Sequence, residues 1–369
     1  MKVNFSYLKE QFKNPEPIFK DIKKLVKSGD FTLGKDVFEF EKQFAKLCQT
    51  KYAIGVGTGT DAIRLSLIAL NVGAGDEVIT VPNTFYSTAE AIATTGAKPV
   101  FVDAGDDYNI NPNLIEKAIT KKTKAILPVH LYGCPAKMPE IIKIANKHNL
   151  LVIEDACQAI NSAINKKKVG SFGITGCFSL HPLKGINVWG DGGIITTNSQ
   201  IVRDELYMLR NNGLKNRNEC ARYSYNCRLD TLQAIVALHV IKDIDWITNK
   251  RIENARFYDK EFSKFSQITI PERAKDVKQV YHTYVVKAKN RDELYNFLLK
   301  NKIEAKIHYP IPLHLQEASK YLNYKKGDFP KTEEQVKSII TLPAHQHLKK
   351  GQLEYIVKKI KEFYKWTKF

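Results

Sequence analysis

From Tyr52 onward the chain repeats one unit: a short apolar run, a turn, and a segment with helical spacing of apolar residues. The runs are YAIGVG (52–57), EVITVP (77–82), KPVFVD (98–103), KAILPVHLYG (124–133), LLVIEDA (150–156), GCFSL (176–180) and GGIITT (192–197). Helical patterns separate several of them, at 61–70, 87–94, 113–119 and 138–147. Runs this short and this continuously apolar belong to strands buried on both faces. With helices between them, the expected architecture is α/β, a mostly parallel sheet covered by helices. Ligands of such sheets sit at the carboxyl ends of the strands, where loops turn into helices. Chemistry is therefore expected at the ends of these runs.

The flanks have a different character. Residues 8–48 alternate apolar and charged positions at helical spacing, with Gly34 in a loop between two helices. After about residue 235 a long amphipathic helix (LQAIVALHVIKDIDWITNKRIENARFYDKEF) leads to YHTYVVKA, the helix RDELYNFLLKNK, the strand EAKIHY and a closing helix from Lys350. The expected division is a large domain over 1–245 and a smaller C-terminal α+β domain over 246–369. No low-complexity linker separates them, so the two are expected to pack together.

Charge and cysteine usage narrow the class. The net charge is +18, but the excess is lysine, 47 against ten arginines, interspersed with acids. Arginine is the better reader of bases and phosphates, so the reading is no nucleic-acid partner; a basic surface suits solubility and attraction of a small anionic substrate. No stretch approaches the roughly 18–20 apolar residues needed to span a bilayer, so no membrane partner is expected. The N-terminus lacks an apolar core of secretory type. The six cysteines (48, 134, 157, 177, 220 and 227) show no CxxC pairing. Together these read as a cytoplasmic protein with reduced thiols. Histidines and carboxylates do not cluster at ligand spacing, so no metal is expected.

Three stretches carry candidate chemistry. GVGTGTDAIRLSL (55–67) is a glycine-rich turn opening onto a helix, either an anion cradle built on free N–H groups or simply a tight turn with Thr60 near the N-cap. LLVIEDACQAI (150–160) is a strand ending in Glu154-Asp155; its carboxylate fits a helix cap or the partner of a protonated ring nitrogen. SLHPLKGINVWGDGG (179–193) places Lys184 among apolar residues and a glycine-rich turn. A lysine at a dry sheet end has a lowered pKa and a free amine, which forms Schiff bases with aldehydes. An anion cradle, a carboxylate, the Ser179 hydroxyl and an amine are what pyridoxal 5'-phosphate requires: donors for its phosphate, an acid for its ring nitrogen, a lysine for its aldehyde.

The order and wording of these segments resemble the DegT/StrS family of sugar aminotransferases, within the fold-type-I pyridoxal-phosphate enzymes. The likeness spans nearly the whole chain: SGDFTLGKDVFEFEKQFAKL, GVGTGTDAIRLSLIAL, GDEVITVPNTFYSTAEAI, GAKPVFVD, AILPVHLYGCPAKM, VIEDACQAI, CFSLHPLKGINVWGDGGIITT, YSYNCRLDTLQAIV, IHYPIPLH and TLPAH. The resemblance implies that Lys184 condenses with the cofactor aldehyde and Asp155 pairs with the pyridinium nitrogen. Gln158 would contact the ring's phenolic oxygen, Phe85 would stack on the ring, and Gly59, Thr60 and Ser179 would hold the phosphate. Asn226 would reach the phosphate in a second subunit, implying a homodimer with shared active sites. His181, His308, Tyr309 and His314 line up with segments near the substrate cleft.

The activity this resemblance implies is a two-stage transamination, with glutamate as donor, pyridoxamine phosphate as the intermediate form and a nucleotide-linked keto-sugar as acceptor. Products of this kind feed surface glycans or related aminosugars. A small phosphorylated ketone is an alternative acceptor. A pyridoxal-phosphate-dependent sugar dehydratase would carry histidine in place of Lys184, and a non-catalytic regulator would have lost part of the constellation. Two departures bear on the substrate. Gly190-Asp191-Gly192-Gly193 has Asp where many relatives have Glu, which points toward amination at C-3 rather than C-4. Asn212 replaces a common His, ahead of Arg222-Tyr223-Ser224, in a loop that would shape the acceptor pocket.

Overall fold

The computed structural model describes residues 1–366. Its main sheet has seven strands in the order Tyr52–Val56, Gly193–Thr197, Thr175–Ser179, Leu151–Asp155, Thr123–Ile126, Glu77–Thr80, Lys98–Phe101. From Thr175–Ser179 to Lys98–Phe101 all neighbours are parallel. Gly193–Thr197 alone runs antiparallel to both its neighbours. The reason lies in the connection. Residues 180–192 contain no helix, so the chain turns at the sheet's end and comes straight back instead of crossing over. The lysine stretch is that turn.

Both faces of the sheet are covered, as the continuous apolar runs require. Phe40 and Phe44 of helix Lys35–Cys48 and Ile235 of helix Thr231–Val240 pack with Phe178 on one face. Ile63 and Leu67 of helix Gly59–Ala69 and Leu206 of helix Gln200–Leu209 pack with Ile153 and Ile195 on the other. One buried ion pair ties helix to strand: Arg210 binds Glu41 and also donates to the Gly55 carbonyl at 2.9 Å. Glu41 in turn accepts the Gly55 N–H at 2.8 Å. Arg210→Ala leaves that carboxylate buried and unpaired. Thermal or urea unfolding is expected to show a loss of about 3–5 kcal/mol, and a loss under about 1 kcal/mol would mean the pair is dispensable.

The second body is built on the antiparallel strands Ile268–Thr269, Tyr284–Ala288 and Ile339–Leu342. Helices Arg291–Lys300 and Lys350–Trp366 cover it through Leu294, Leu298, Ile356 and Ile360. Val3 joins this core and pairs with Ile303, so the first residues of the chain lie against its last third. The long helix expected after residue 231 is instead two helices joined by a 3₁₀ turn at Ile241–Asp243. The second of them, Ile244–Phe262, bridges the bodies. Ile244 and Ile247 belong to the large core, and Ala255, Tyr258 and Phe262 to the small one. The junction at 245/246 thus falls inside a continuous helix. Among the described residues no helix is long and apolar enough to cross a membrane.

Candidate active site

The site forms where strands Tyr52–Val56, Leu151–Asp155 and Thr175–Ser179 end. Side chains alternate across a strand, so the adjacent acids Glu154 and Asp155 face opposite ways. Glu154 is fully buried and committed to the fold. It accepts N–H bonds from Gly170, Phe172 and Gly173, each at 2.8 Å, and meets His130 Nε2 at 3.1 Å. Asp155 faces the other side. Its Oδ2 accepts from the Thr88 hydroxyl at 2.7 Å and its Oδ1 from the Cys157 N–H at 3.1 Å. A carboxylate offers about four lone-pair positions, so this one is held in place with acceptor capacity to spare.

The glycine-rich turn opens helix Gly59–Ala69, and its cap is Thr58 rather than Thr60. The Thr58 hydroxyl accepts the Asp61 N–H at 2.9 Å, which moves the helix start two residues ahead of the expected 61. Gly59 and Thr60 therefore lie in the first turn, whose N–H groups have no partner within a helix. Gly59 is packed against the neighbouring strand end. A Cβ there would stand 2.7 Å from Ser179 Cβ and 3.0 Å from Cys157 Sγ. Only glycine lets the turn and Ser179 approach this closely.

Lys184 is half-buried, fixed through its backbone rather than its head. Its amide donates to the His181 carbonyl at 2.8 Å, and its carbonyl accepts from the Tyr7 hydroxyl at 3.0 Å. Among the described residues its Nζ makes no hydrogen bond or ion pair. Burial pulls the amine's pKa below the usual lysine range, opposed by Cys157 and by Asp155. His181, His282 and His308 surround it, and each is held below the usual histidine pKa by burial and then by the lysine's charge, His308 at about 4. At neutral pH these imidazoles are uncharged. A lowered lysine pKa means the neutral amine appears at lower pH, whereas an exposed lysine is only about 0.4 % neutral at pH 8. Trace acylation of the cofactor-free protein, mapped by mass spectrometry across pH, is expected to give Lys184 a midpoint below that of surface lysines. A midpoint at or above theirs would contradict the burial.

The remaining expected residues fall into two groups. Gln158 accepts the Tyr132 N–H at 2.8 Å through Oε1 and donates through Nε2 to the Tyr309 hydroxyl at 3.2 Å. Tyr132 donates its hydroxyl to the His308 carbonyl, and His308 Nδ1 meets the Thr341 hydroxyl at 3.0 Å. Phe85 is 41% exposed, its ring centroid 6.0 Å from that of Tyr309. The structure thus gathers Gly59, Ser179, Asp155, Gln158, Lys184, His181, His308, Tyr309 and Phe85 around one sheet end. His314 is placed elsewhere. It lies buried with Nε2 3.1 Å from Glu333 Oε1 and its ring 4.7 Å from Phe329, so its expected place near the cleft gives way to a packing role. Asn226 stands exposed on the loop that pairs with Asn211.

The sequence reading missed Tyr7, Arg251 and His282. They come from the N-terminus, the bridging helix and the second body, and only the fold brings them to Lys184. The faint signal was a histidine and an arginine at otherwise apolar or core-facing positions.

The residues present fit pyridoxal phosphate: first-turn N–H groups beside a hydroxyl, an oriented carboxylate with free acceptor capacity, an aromatic face and an unengaged amine. Known proteins agree with that fit. The model of the DegT/DnrJ/EryC1/StrS aminotransferase family matches residues 13–361. A pleiotropic regulatory protein of Geobacillus stearothermophilus is 40% identical over 99% of both chains. A dTDP-3-amino-3,6-dideoxy-alpha-D-galactopyranose transaminase of Aneurinibacillus thermoaerophilus is 38% identical over 98% of this chain and 97% of its own. Among solved structures, S. venezuelae DesV in complex with a ketimine intermediate superposes with a TM-score of 0.97, at 33% identity and full coverage of both chains. Other solved relatives carry pyridoxamine phosphate or pyridoxal phosphate.

Proposed function

Because the chain belongs to the DegT/DnrJ/EryC1/StrS aminotransferase family, whose members work with pyridoxal phosphate, we propose that it moves an amino group from glutamate to a nucleotide-linked keto-sugar, at C-3 of the ring. The observation that carries the reading is Lys184: a desolvated amine with no partner among the described residues, beside an oriented acid and a glycine-rich first turn. The C-3 assignment rests on Asp191 in the turn after the lysine and on a relative named for a 3-amino sugar.

Within this reading Gly59, Thr60 and Ser179 hold the cofactor phosphate, Asp155 faces the ring nitrogen, Gln158 the ring oxygen and Phe85 the ring face. Bound there, pyridoxal phosphate supplies an aldehyde for condensation with amines and a cationic ring that accepts an electron pair from carbon. Asp155 keeps that ring cationic by holding its proton. With the cofactor bound, Lys184 would take a proton from the donor's α-carbon and deliver it to the former aldehyde carbon on the far side of the amino nitrogen, as base and then acid. The same lysine repeats this in the opposite sense with the acceptor. Neutral His181 and His308 line the approach without competing for the proton. Asn226 completes the site of a second subunit, so the active form is a homodimer.

The regulatory name of the Geobacillus relative suggests a non-catalytic reading, but a chain that had left catalysis would not need Lys184, Asp155 and Gln158 all in place. The test is incubation of the protein with pyridoxal phosphate, glutamate and a panel of dTDP-, UDP- and GDP-linked 3-keto and 4-keto sugars, with phosphorylated ketones alongside. Mass spectrometry follows the ketone-to-amine change. Conversion of a 3-keto nucleotide-sugar is the expected result; conversion of phosphorylated ketones alone would move the acceptor class, and no conversion with a colourless protein would remove the enzyme.

A further inference from the structure

Arg251 is buried, and it is the exception among the buried arginines. Arg210 pairs with Glu41, Arg291 with Asp292. Arg251, 3% exposed, makes no ion pair among the described residues. Its guanidinium is nonetheless rigidly aimed: Nε donates to Gln346 Oε1 at 2.9 Å, Nη1 to the His282 carbonyl at 3.2 Å, and the plane lies over the Tyr7 ring at 5.1 Å. Among the described residues Nη2 is left buried with no partner. A buried cation without an anion is costly, and such a group is retained where something supplies the counter-charge.

The arginine lines a cavity of about 70 Å³ bounded by Phe5, Tyr7, Leu183, Thr283, His308 and His345, among others. Two further buried atoms of that lining also lack partners, the Thr283 hydroxyl and His345 Nδ1. No Asp or Glu contributes to it. Leu183 sets the cavity directly beside Lys184, and the His282 and His308 that flank it both feel the lysine's charge. The space is large enough for a carboxylate.

We propose that Arg251, with Thr283, forms the subsite that takes a carboxylate of the amino donor, orienting the donor's amine toward Lys184. This rests on the aminotransferase reading and adds to it where the donor's anionic end is held. The guanidinium presents its free edge, and the Thr283 hydroxyl donates to the second oxygen. The acceptor, which brings no carboxylate to this position, does not use the subsite. Arg251 thus discriminates the two half-reactions that share one lysine.

The test uses the pyridoxal-phosphate holoenzyme. Conversion of its lysine-bound chromophore by L-glutamate is titrated, and binding of 2-oxoglutarate is measured by calorimetry, for wild type, Arg251→Gln and Thr283→Val. Half-saturation for glutamate and the dissociation constant for 2-oxoglutarate are expected to rise together, about 10- to 100-fold in Arg251→Gln and a few-fold in Thr283→Val. The chromophore and its trapping on Lys184 by borohydride should persist in both. Unchanged constants in a variant that keeps its chromophore would overturn the subsite. If Arg251→Gln fails to fold, Thr283→Val decides by the same two constants. Wild type that binds 2-oxoglutarate but converts no amino acid would instead sink the transaminase reading, and wild type that binds no carboxylate would sink both.

Discussion

Lys184→Ala is expected to keep its fold, bind pyridoxal phosphate, and lose transamination by about 10⁴-fold. The loss is large because one nitrogen serves three ends. On the proposed reading it anchors the cofactor aldehyde, presents it to incoming amines in a reactive form, and carries the proton in both half-reactions. The fold should survive because Nζ makes no hydrogen bond among the described residues, while the backbone contacts with His181 and Tyr7 do not need the side chain. Lys184→Arg separates charge from nucleophilicity: it restores a cation but has no accessible neutral form, and it should be as inactive as the alanine variant. Added methylamine should restore part of the Lys184→Ala rate, since it replaces the proton carrier but not the anchor. Activity within tenfold of wild type in Lys184→Ala would remove the lysine from the chemistry.

The parts of this site that were legible in the sequence share one property: each lies at the end of an apolar run, so strand position fixes its place. Asp155 and Ser179 close such runs, and Lys184 sits in the turn between two of them. Elsewhere local pattern misled or was silent. His314 lies six residues beyond His308 in the same Pro-rich segment, yet a single 3₁₀ turn at Leu313–Leu315 sends it into the packing around Phe329. The helix after the glycine turn starts two residues before its apolar spacing implies because Thr58, not Thr60, supplies the capping oxygen. Arg251 and His282 carry only a faint local sign, a polar residue at a core-facing position; helix Ile244–Phe262 and the second body's sheet deliver them to the lysine from some 70 to 100 positions away in the chain. Periodicity reports which face of an element is buried, not which distant element shares that burial. The broken helix at Ile241–Asp243 is a case in point, since apolar spacing runs through the break unchanged.

The neighbouring acids Glu154 and Asp155 give the sharpest separation of fold from function. Asp155→Asn is expected to lower the rate by about 10²–10³-fold, with the unfolding midpoint near wild type. The amide oxygen still accepts the Cys157 N–H, and its –NH₂ can donate to the Thr88 hydroxyl, which turns its own proton toward Thr84, but the amide carries no charge to hold a proton on the ring nitrogen. The loss should fall on the step that breaks the carbon–hydrogen bond, so a deuterated donor slows the variant more than wild type. Glu154→Gln is expected to do the reverse. Its carboxylate accepts three backbone N–H groups and faces His130, and an amide can serve only half of that array. One –NH₂ must then point at a donor in a fully buried place, costing about 1–3 kcal/mol of stability. Folded Glu154→Gln protein should therefore turn over at close to the wild-type rate while unfolding earlier. If the two variants show the same pattern, whichever it is, then strand alternation does not divide their roles, and the assignment of Asp155 to the cofactor face fails with it.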